Sequence, residues 1–248
     1  MTANALLWLD DVTVSFDGYK ALDHLSLSFA RGELRCIIGP NGAGKTTLMD
    51  VITGKTRPTS GHVYFSPAQL ELTGLAEERI SALGIGRKFQ RPTVFDSLSV
   101  LENLELAGSP HRGVWRTLFG RLSGERRDAI ERALATIGLS ERRHERAGRL
   151  SHGQKQWLEL GMLLVQDPQV LLVDEPVAGM THQEIDRTAD LLVSLAGDRT
   201  VVVVEHDMEF IRRIARTVTV LHEGRVLAEG SMESVQAHPD VVEVYLGC

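Results

Sequence analysis

The stretch Gly39-Pro40-Asn41-Gly42-Ala43-Gly44-Lys45-Thr46 has the composition and spacing of a loop that holds phosphate, G-x-x-x-x-G-K-[ST]. Glycines at 39, 42 and 44 let backbone N–H groups turn inward without Cβ obstruction, and a following helix would present its positive end to an anion. Lys45 has the reach for β- and γ-phosphates, the Thr46 hydroxyl can ligate Mg²⁺, and Thr47 continues into the helix. The chemistry is that of a nucleoside triphosphate. Asp174-Glu175, closing the apolar run Val170-Leu171-Leu172-Val173, adds two carboxylates at a strand end. Asp174 is placed to hold Mg²⁺ and Glu175 to act as general base on an attacking water. His206 follows another apolar run and can hold the water and Glu175 in line with the γ-phosphate. Gln90 can touch Mg²⁺ or that water through its amide. Each has a plainer alternative when taken alone: an acidic turn, a surface histidine, a solvated amide.

A second phosphate-reading element lies far along the chain, in Leu150-Ser151-His152-Gly153-Gln154. Ser151 can cap a helix starting near Gln154, offering its hydroxyl, the Gly153 N–H and the helix dipole to an anion.

These groups need elements to position them. Leu7–Phe16 and Leu25–Phe29 alternate apolar and polar residues, as half-buried antiparallel strands do, with Asp17-Gly18 as the turn. Leu34–Ile38 is a buried strand feeding the phosphate loop, and Leu48–Ile52 is helical. Val170–Val173, Val201–Val204 and Val218–Leu221 suit parallel strands covered on both faces. Ile130, Ala133, Leu134 and Ile137 fall at i, i+3, i+4, i+7, a helix face within a helical middle region.

Composition bounds the rest. The chain has 248 residues, 43% hydrophobic and 24% charged, with a formal charge of −6. That is ordinary for a soluble globular protein and lacks the basic footprint of a nucleic-acid binder. Cys36 and Cys248 are the only cysteines, so a disulfide framework is not expected. The N-terminus lacks the pattern of a signal peptide, and no apolar run approaches the roughly 18 residues of a membrane helix.

Taken together and in this order, the motifs resemble the nucleotide-binding subunit of ATP-binding cassette (ABC) transporters over essentially the whole chain. Lys45 and Thr46 match Walker A, Gln90 the Q-loop, Leu150–Gln154 the signature, Asp174 and Glu175 Walker B, and His206 the H-loop. The resemblance implies an α/β fold: a P-loop NTPase (RecA-like) core with an N-terminal antiparallel β subdomain and an inserted α-helical subdomain. It places core and β subdomain in 1–90 and 162–227, the helical subdomain in 91–161 and a C-terminal extension in 228–248, all one nucleotide-binding domain. It also implies ATP and Mg²⁺ as cofactors, with Thr46, Gln90 and Asp174 at the metal. Phe16 falls where the family stacks an aromatic on adenine, although Val12, Val14 and Phe16 alternate onto one strand face and Phe16 also fits the core.

In that family two cassettes close head to tail, and each signature, here Ser151, His152, Gly153 and Gln154, faces the partner's ATP. Implied partners are a second cassette (identical or different), transmembrane permease subunits and, indirectly, a periplasmic solute-binding protein. The implied place is the cytoplasmic face of the membrane. Two departures stand out. His152 occupies the usual glycine of L-S-G-G-Q, so its side chain must point away from nucleotide, and Thr181 stands where many relatives carry a site-coupling Asp.

The stretches Gly84–Gln90, Glu175–Gly179 and Val204–Met208 look like the branched-chain amino-acid and amide importer group. Cys36–Asn41, Asp50–Thr56 and Leu150–Trp157 resemble urea-transport ATPases most closely, with branched-chain amino acids as the alternative solute. Val94, Phe95, Leu98 and Val100 suit either a permease contact or ordinary core. Trp115, Leu118, Phe119 and Leu122, flanked by Arg112, Arg116 and Arg121, form a basic amphipathic stripe that suits a membrane surface or simple packing. Non-transport cassettes acting on ribosomes or DNA, and cassettes that regulate without hydrolysing, fit less well: no heptad tract occurs, and Glu175 and His206 are intact.

Overall fold

The computed structural model describes residues 5–66, 70–88, 93–108 and 124–246. Gln90, the stripe of residues 112–122 and Cys248 lie outside the described residues. The chain divides into two compact units. The first comprises Met1–Arg87, Gln169–Glu175 and Leu192–Cys248; the second comprises Lys88–Pro168 and Pro176–Leu191.

The first unit contains two sheets. Strands β1 (Ala5–Phe16) and β2 (Tyr19–Ala30) form a hairpin across Asp17-Gly18. With β4 (Ser60–Phe65) and β5 (Leu70–Glu71) they make an antiparallel sheet in the order β2-β1-β4-β5. The register slips at several points along this pair, among them between Leu9 and Val12, where Asp11 takes a φ of 52°. That bulge keeps Leu7, Leu9, Val12 and Val14 all facing the core, each 2% exposed or less.

The second sheet runs β10 (Arg225–Gly230), β9 (Thr217–His222), β3 (Leu34–Ile38), β8 (Thr200–Val204), β7 (Val170–Asp174), β6 (Ile85–Lys88). β9, β3, β8 and β7 pair in parallel. Every residue of β3, β7 and β8 is buried, which is why these runs are apolar save for Arg35, Asp174 and Thr200. Helix α1 (Lys45–Ile52) follows β3 and buries Leu48, Met49, Val51 and Ile52; α2 (Glu77–Ala82) precedes β6. The carboxyl ends of β3, β7 and β8 release the phosphate loop, Asp174-Glu175 and His206 respectively, the edge where ligands bind in parallel sheets.

The second unit is helical. Helix α3 (Val100–Ala107) starts from a Ser99/Glu102 capping box, and α4 (Gly124–Ile137) buries the expected Ile130, Ala133, Leu134 and Ile137. Helix α5 (His152–Leu164) passes close to both: a Cβ on its Gly161 would stand 2.6 Å from Ile137 Cδ1 and 3.2 Å from Leu104. The first part of α6 (His182–Leu195) completes the unit. Of the apolar group after residue 93, Val100 is core at 0% exposure, while Phe95 stands half exposed and Val94 and Leu98 are intermediate. Packing therefore claims Val100 and leaves Phe95 available for a contact.

Candidate functional site

Gly39 and Gly44 answer to backbone crowding. At φ 155° and 100°, an added Cβ would sit 2.3 Å from the Leu221 carbonyl oxygen and 2.4 Å from that of Ala21. Asn41 and Gly42 are exposed at the loop's crest. A Cβ built at Gly42 enters open space, meeting only the Tyr19 hydroxyl at 3.9 Å. The loop is braced by the Ala43 amide donating to the Pro40 carbonyl at 3.2 Å. Helix α1 then begins at Gly44 with no side-chain cap and no acidic residue in its first turn. Its first-turn amides and dipole are thus left for an external anion. Lys45 folds back to donate from Nζ to the carbonyls of Gly39 (2.6 Å) and Pro40 (2.9 Å). Partial burial pushes its ammonium pKa down, opposed by the charges of Glu175 and Asp174. A triphosphate seated on the loop would give that cation a better partner than two neutral carbonyls.

Asp174 closes β7 and is buried; Arg87, at the end of β6, donates from Nη2 to its Oδ2 at 3.2 Å and pairs through Nη1 with Asp50 of α1. Glu175 comes next in the left-handed region at φ 43°, its amide donating to the Val204 carbonyl at 2.9 Å. That rare backbone conformation swings the carboxylate off the strand line. His206 Nδ1 lies 3.7 Å from Glu175 Oε1, and the histidine side chain is largely exposed. The buried Glu205 carboxylate accepts from the amides of His206 (2.9 Å) and Asp207 (3.3 Å), fixing the turn that carries the histidine. The structure therefore brings Gly39–Thr47, Asp174, Glu175 and His206 together at one sheet edge. Gln90 lies outside the described residues. Phe16 ends β1 with its ring half exposed, opposite Tyr19 in the hairpin, whereas Val12 and Val14 are buried. The core reading of Phe16 does not hold.

Among the described residues no three His, Cys, Asp or Glu side chains cluster to hold a metal. A divalent cation would depend on the exposed Thr46 hydroxyl and Asp174 together with the nucleotide's own oxygens. That donor set is all oxygen, as Mg²⁺ requires.

In the second unit, Ser151 is the N-cap of α5 and forms a capping box. Its Oγ accepts from the Gln154 amide at 3.2 Å, and the Ser151 amide donates to Gln154 Oε1 at 3.0 Å. The helix starts at His152, earlier than expected, because Gln154 serves as the third helical residue of that box. Gly153 is buried under Glu184: a Cβ there would lie 2.6 Å from Glu184 Oε1. The His152 ring turns along its own helix, Nε2 3.3 Å from Gln156 Nε2.

Sequence reasoning missed Arg87, Tyr19, Glu205 and Glu184 as site residues. Tyr19 donates from Oη to the Gly42 carbonyl at 3.2 Å. Arg87 and Glu205 were visible only as parts of Gly84–Gln90 and Val204–Met208, and Tyr19 and Glu184 sit inside no recognisable spacing pattern.

A parallel sheet with a glycine-cradled helix N-terminus and an acid pair at the neighbouring strand end defines a P-loop nucleotide-hydrolase cassette. The profile described as ABC transporter matches residues 22–178, and one described as branched-chain amino acid ATP-binding cassette transporter matches 225–247. The high-affinity branched-chain amino acid transport ATP-binding protein LivG of Salmonella typhimurium is 33% identical, over 98% of both chains. A cassette named MJ1267, solved in its ADP conformation, superposes with a TM-score of 0.85 at 32% identity, covering 98% of this chain and 99% of that one. The dimeric cassette MJ0796 superposes with a TM-score of 0.76 at 28% identity, over 92% and 99%. The chain belongs to the ABC transporter family. Within it, it is an ATPase of the branched-chain amino-acid importer type.

Proposed function

We propose that this chain is the ATP-hydrolysing subunit of a multi-subunit importer, working as one half of a head-to-tail pair of cassettes. The observation that carries this reading is one chain holding both a hydrolytic edge and a capped signature serine. Gly39–Thr47 cradle the triphosphate, Lys45 neutralises its β/γ region, and Phe16 stacks on adenine. Thr46, Asp174 and Gln90 attend the Mg²⁺, which when bound draws charge from the β- and γ-oxygens. Glu175 takes a proton from the attacking water as the bond to the γ-phosphorus forms and ADP leaves. His206, 3.7 Å from Glu175, holds that carboxylate and the water in line. Ser151, Gly153 and Gln154 address the partner's nucleotide, with His152 turned aside.

Permease subunits would anchor the pair at the cytoplasmic face of the membrane, since no helix among the described residues is long and apolar enough to cross it. The second cassette is a different chain in the commoner arrangement of this branch. The name borne by LivG supports branched-chain amino acids as the solute. Urea rests only on the motif resemblance of residues 36–41, 50–56 and 150–157, and the branched-chain alternative fits the comparisons better. Uptake of labelled leucine and labelled urea, in cells lacking this chain and complemented with it or with Glu175→Gln, separates the two. Restored leucine uptake supports the branched-chain reading, restored urea uptake overturns it in favour of the other, and restoration by Glu175→Gln would sink the hydrolytic role. Sedimentation of Glu175→Gln with ATP tests the pairing: monomers at every ATP concentration, alone and with the partner cassette, would refute it.

A further inference from the structure

Glu184, in the first turn of α6, divides its two carboxylate oxygens between two tasks. Oε2 accepts from the Thr181 amide and hydroxyl, each at 3.0 Å, while the Glu184 amide faces Thr181 Oγ1 at 3.4 Å. This is a Thr181-x-x-Glu184 capping box, and it accounts for one oxygen. Oε1 does something the cap does not need: it accepts the Ser151 hydroxyl proton at 2.7 Å. The same carboxylate lies against Gly153, and α6 is fastened to α5 nearby by Trp157 Nε1 donating to Thr188 Oγ1 at 2.9 Å. Ser151 Oγ already accepts from the Gln154 amide, so its single proton is its means of binding an incoming anion.

We propose that Glu184 is an intramolecular placeholder for the partner's γ-phosphate: its carboxylate occupies the Ser151 hydroxyl until the nucleotide from the opposing cassette displaces it. This rests on the reading that the signature addresses the partner's nucleotide. One hydroxyl proton cannot serve two anions, and the carboxylate repels the approaching phosphate. The Ser151 hydroxyl and the Thr181 amide hold the Glu184 carboxyl below the usual carboxylate range, so it is ionised at neutral pH. Displacement would also loosen the Oε2 contacts to Thr181, passing the event to the loop that follows Glu175. Glu184 thus acts through Ser151 and Thr181 as a positioning residue.

The test is ATP-dependent dimerisation of the full chain in a Glu175→Gln background, followed by sedimentation across an ATP titration. Glu184→Gln keeps an acceptor for the capping box but removes the charge. Trading a charge-assisted bond for a neutral one should lower the half-maximal ATP concentration by about five-fold, with monomer affinity for a fluorescent ATP analogue unchanged. An unchanged or raised half-point would overturn the placeholder role, because a merely structural residue is neutral or harmful when altered. Ser151→Ala in the same background keeps the two readings apart. If it leaves dimerisation intact, the signature reading itself fails. If it weakens dimerisation while Glu184→Gln does not tighten it, only the placeholder fails.

Discussion

Arg87 offers the sharpest test of how the hydrolytic edge is built. Its side chain is 4% exposed and faces two carboxylates, Asp50 at 15% and Asp174 at 13% side-chain exposure. Replacing it by Met keeps the length and apolar stem but removes the cation between them. Breaking a buried pair by deleting one partner costs about 3–5 kcal/mol, far more than the pair is worth against an apolar substitute. Both carboxylates retain a little water access, so the lower end, about 3 kcal/mol, is expected. For a chain of this length that lowers the unfolding midpoint by about 6–12 °C. Urea denaturation followed by tryptophan fluorescence reads it directly. Adding Asp50→Asn to Arg87→Met should recover part of the loss, since only one of the two carboxylates then keeps its charge, although Asp50 also pairs with Lys55 at 3.4 Å. A loss below about 1 kcal/mol, or a double variant worse than the sum of the singles, would refute the claim that Arg87 holds Asp174 by charge.

Phe16→Ala should weaken ATP binding by roughly five- to ten-fold, the low end of what stacking on an aromatic contributes, because the ring is already half wet; titration with a fluorescent ATP analogue reads this, and Phe16→Tyr should restore it. His152→Gly should leave monomer ATP affinity unchanged and alter only dimerisation or turnover, because its ring lies against Gln156 in the second unit; equal loss of monomer affinity contradicts that. Burial pushes the Cys36 thiol up to about 12, so it stays protonated at neutral pH. In a Cys248→Ser background a disulfide reagent should therefore label Cys36 only as the protein unfolds, and prompt labelling of native protein would count against the burial of β3. The Lys20 and Arg225 partners lower the Asp23 carboxyl to about 2 from 3.8. Because the folded value is the lower one, the stability this group adds is present above 3.8 and disappears as pH falls through about 2. Denaturation curves between pH 5 and 2 should show a shallower decline for Asp23→Asn.

The elements that were legible are those whose signal is local. Leu34–Ile38 reads as a strand because it is buried on every side and bounded by a glycine turn, and β3 has those bounds. The helix face of Ile130, Ala133, Leu134 and Ile137 needed only its 3.6-residue period. Partners brought together by topology were not legible: Arg87 and Asp174 are 87 positions apart, and no spacing rule links them. Glu184 was hidden differently. In sequence it is only an acid in a helix's first turn, and one of its oxygens does that job. Val100 was open between core and contact because an apolar residue opening a helix carries no mark of which way the helix turns.

The two phosphate-reading elements are built from different materials, and this bears on what each can do. The loop at 39–47 offers backbone amides fixed by turns whose Cβ positions are blocked by the carbonyls of Leu221 and Ala21. Such donors cannot rotate away, and the Ala43 amide already braces the loop by donating to the Pro40 carbonyl at 3.2 Å. The element at 151–154 relies instead on a hydroxyl that rotates freely and, in this structure, is engaged by Glu184. Its glycine is crowded by a side chain, not by backbone, and that obstacle can move. On the proposed reading a fixed cradle would hold ATP in the monomer, and a donor that must be released before it binds would make closure conditional on the nucleotide being there. Under that proposal, one rigid reader paired with one releasable reader would let ATP, and not mere encounter, decide when two cassettes close.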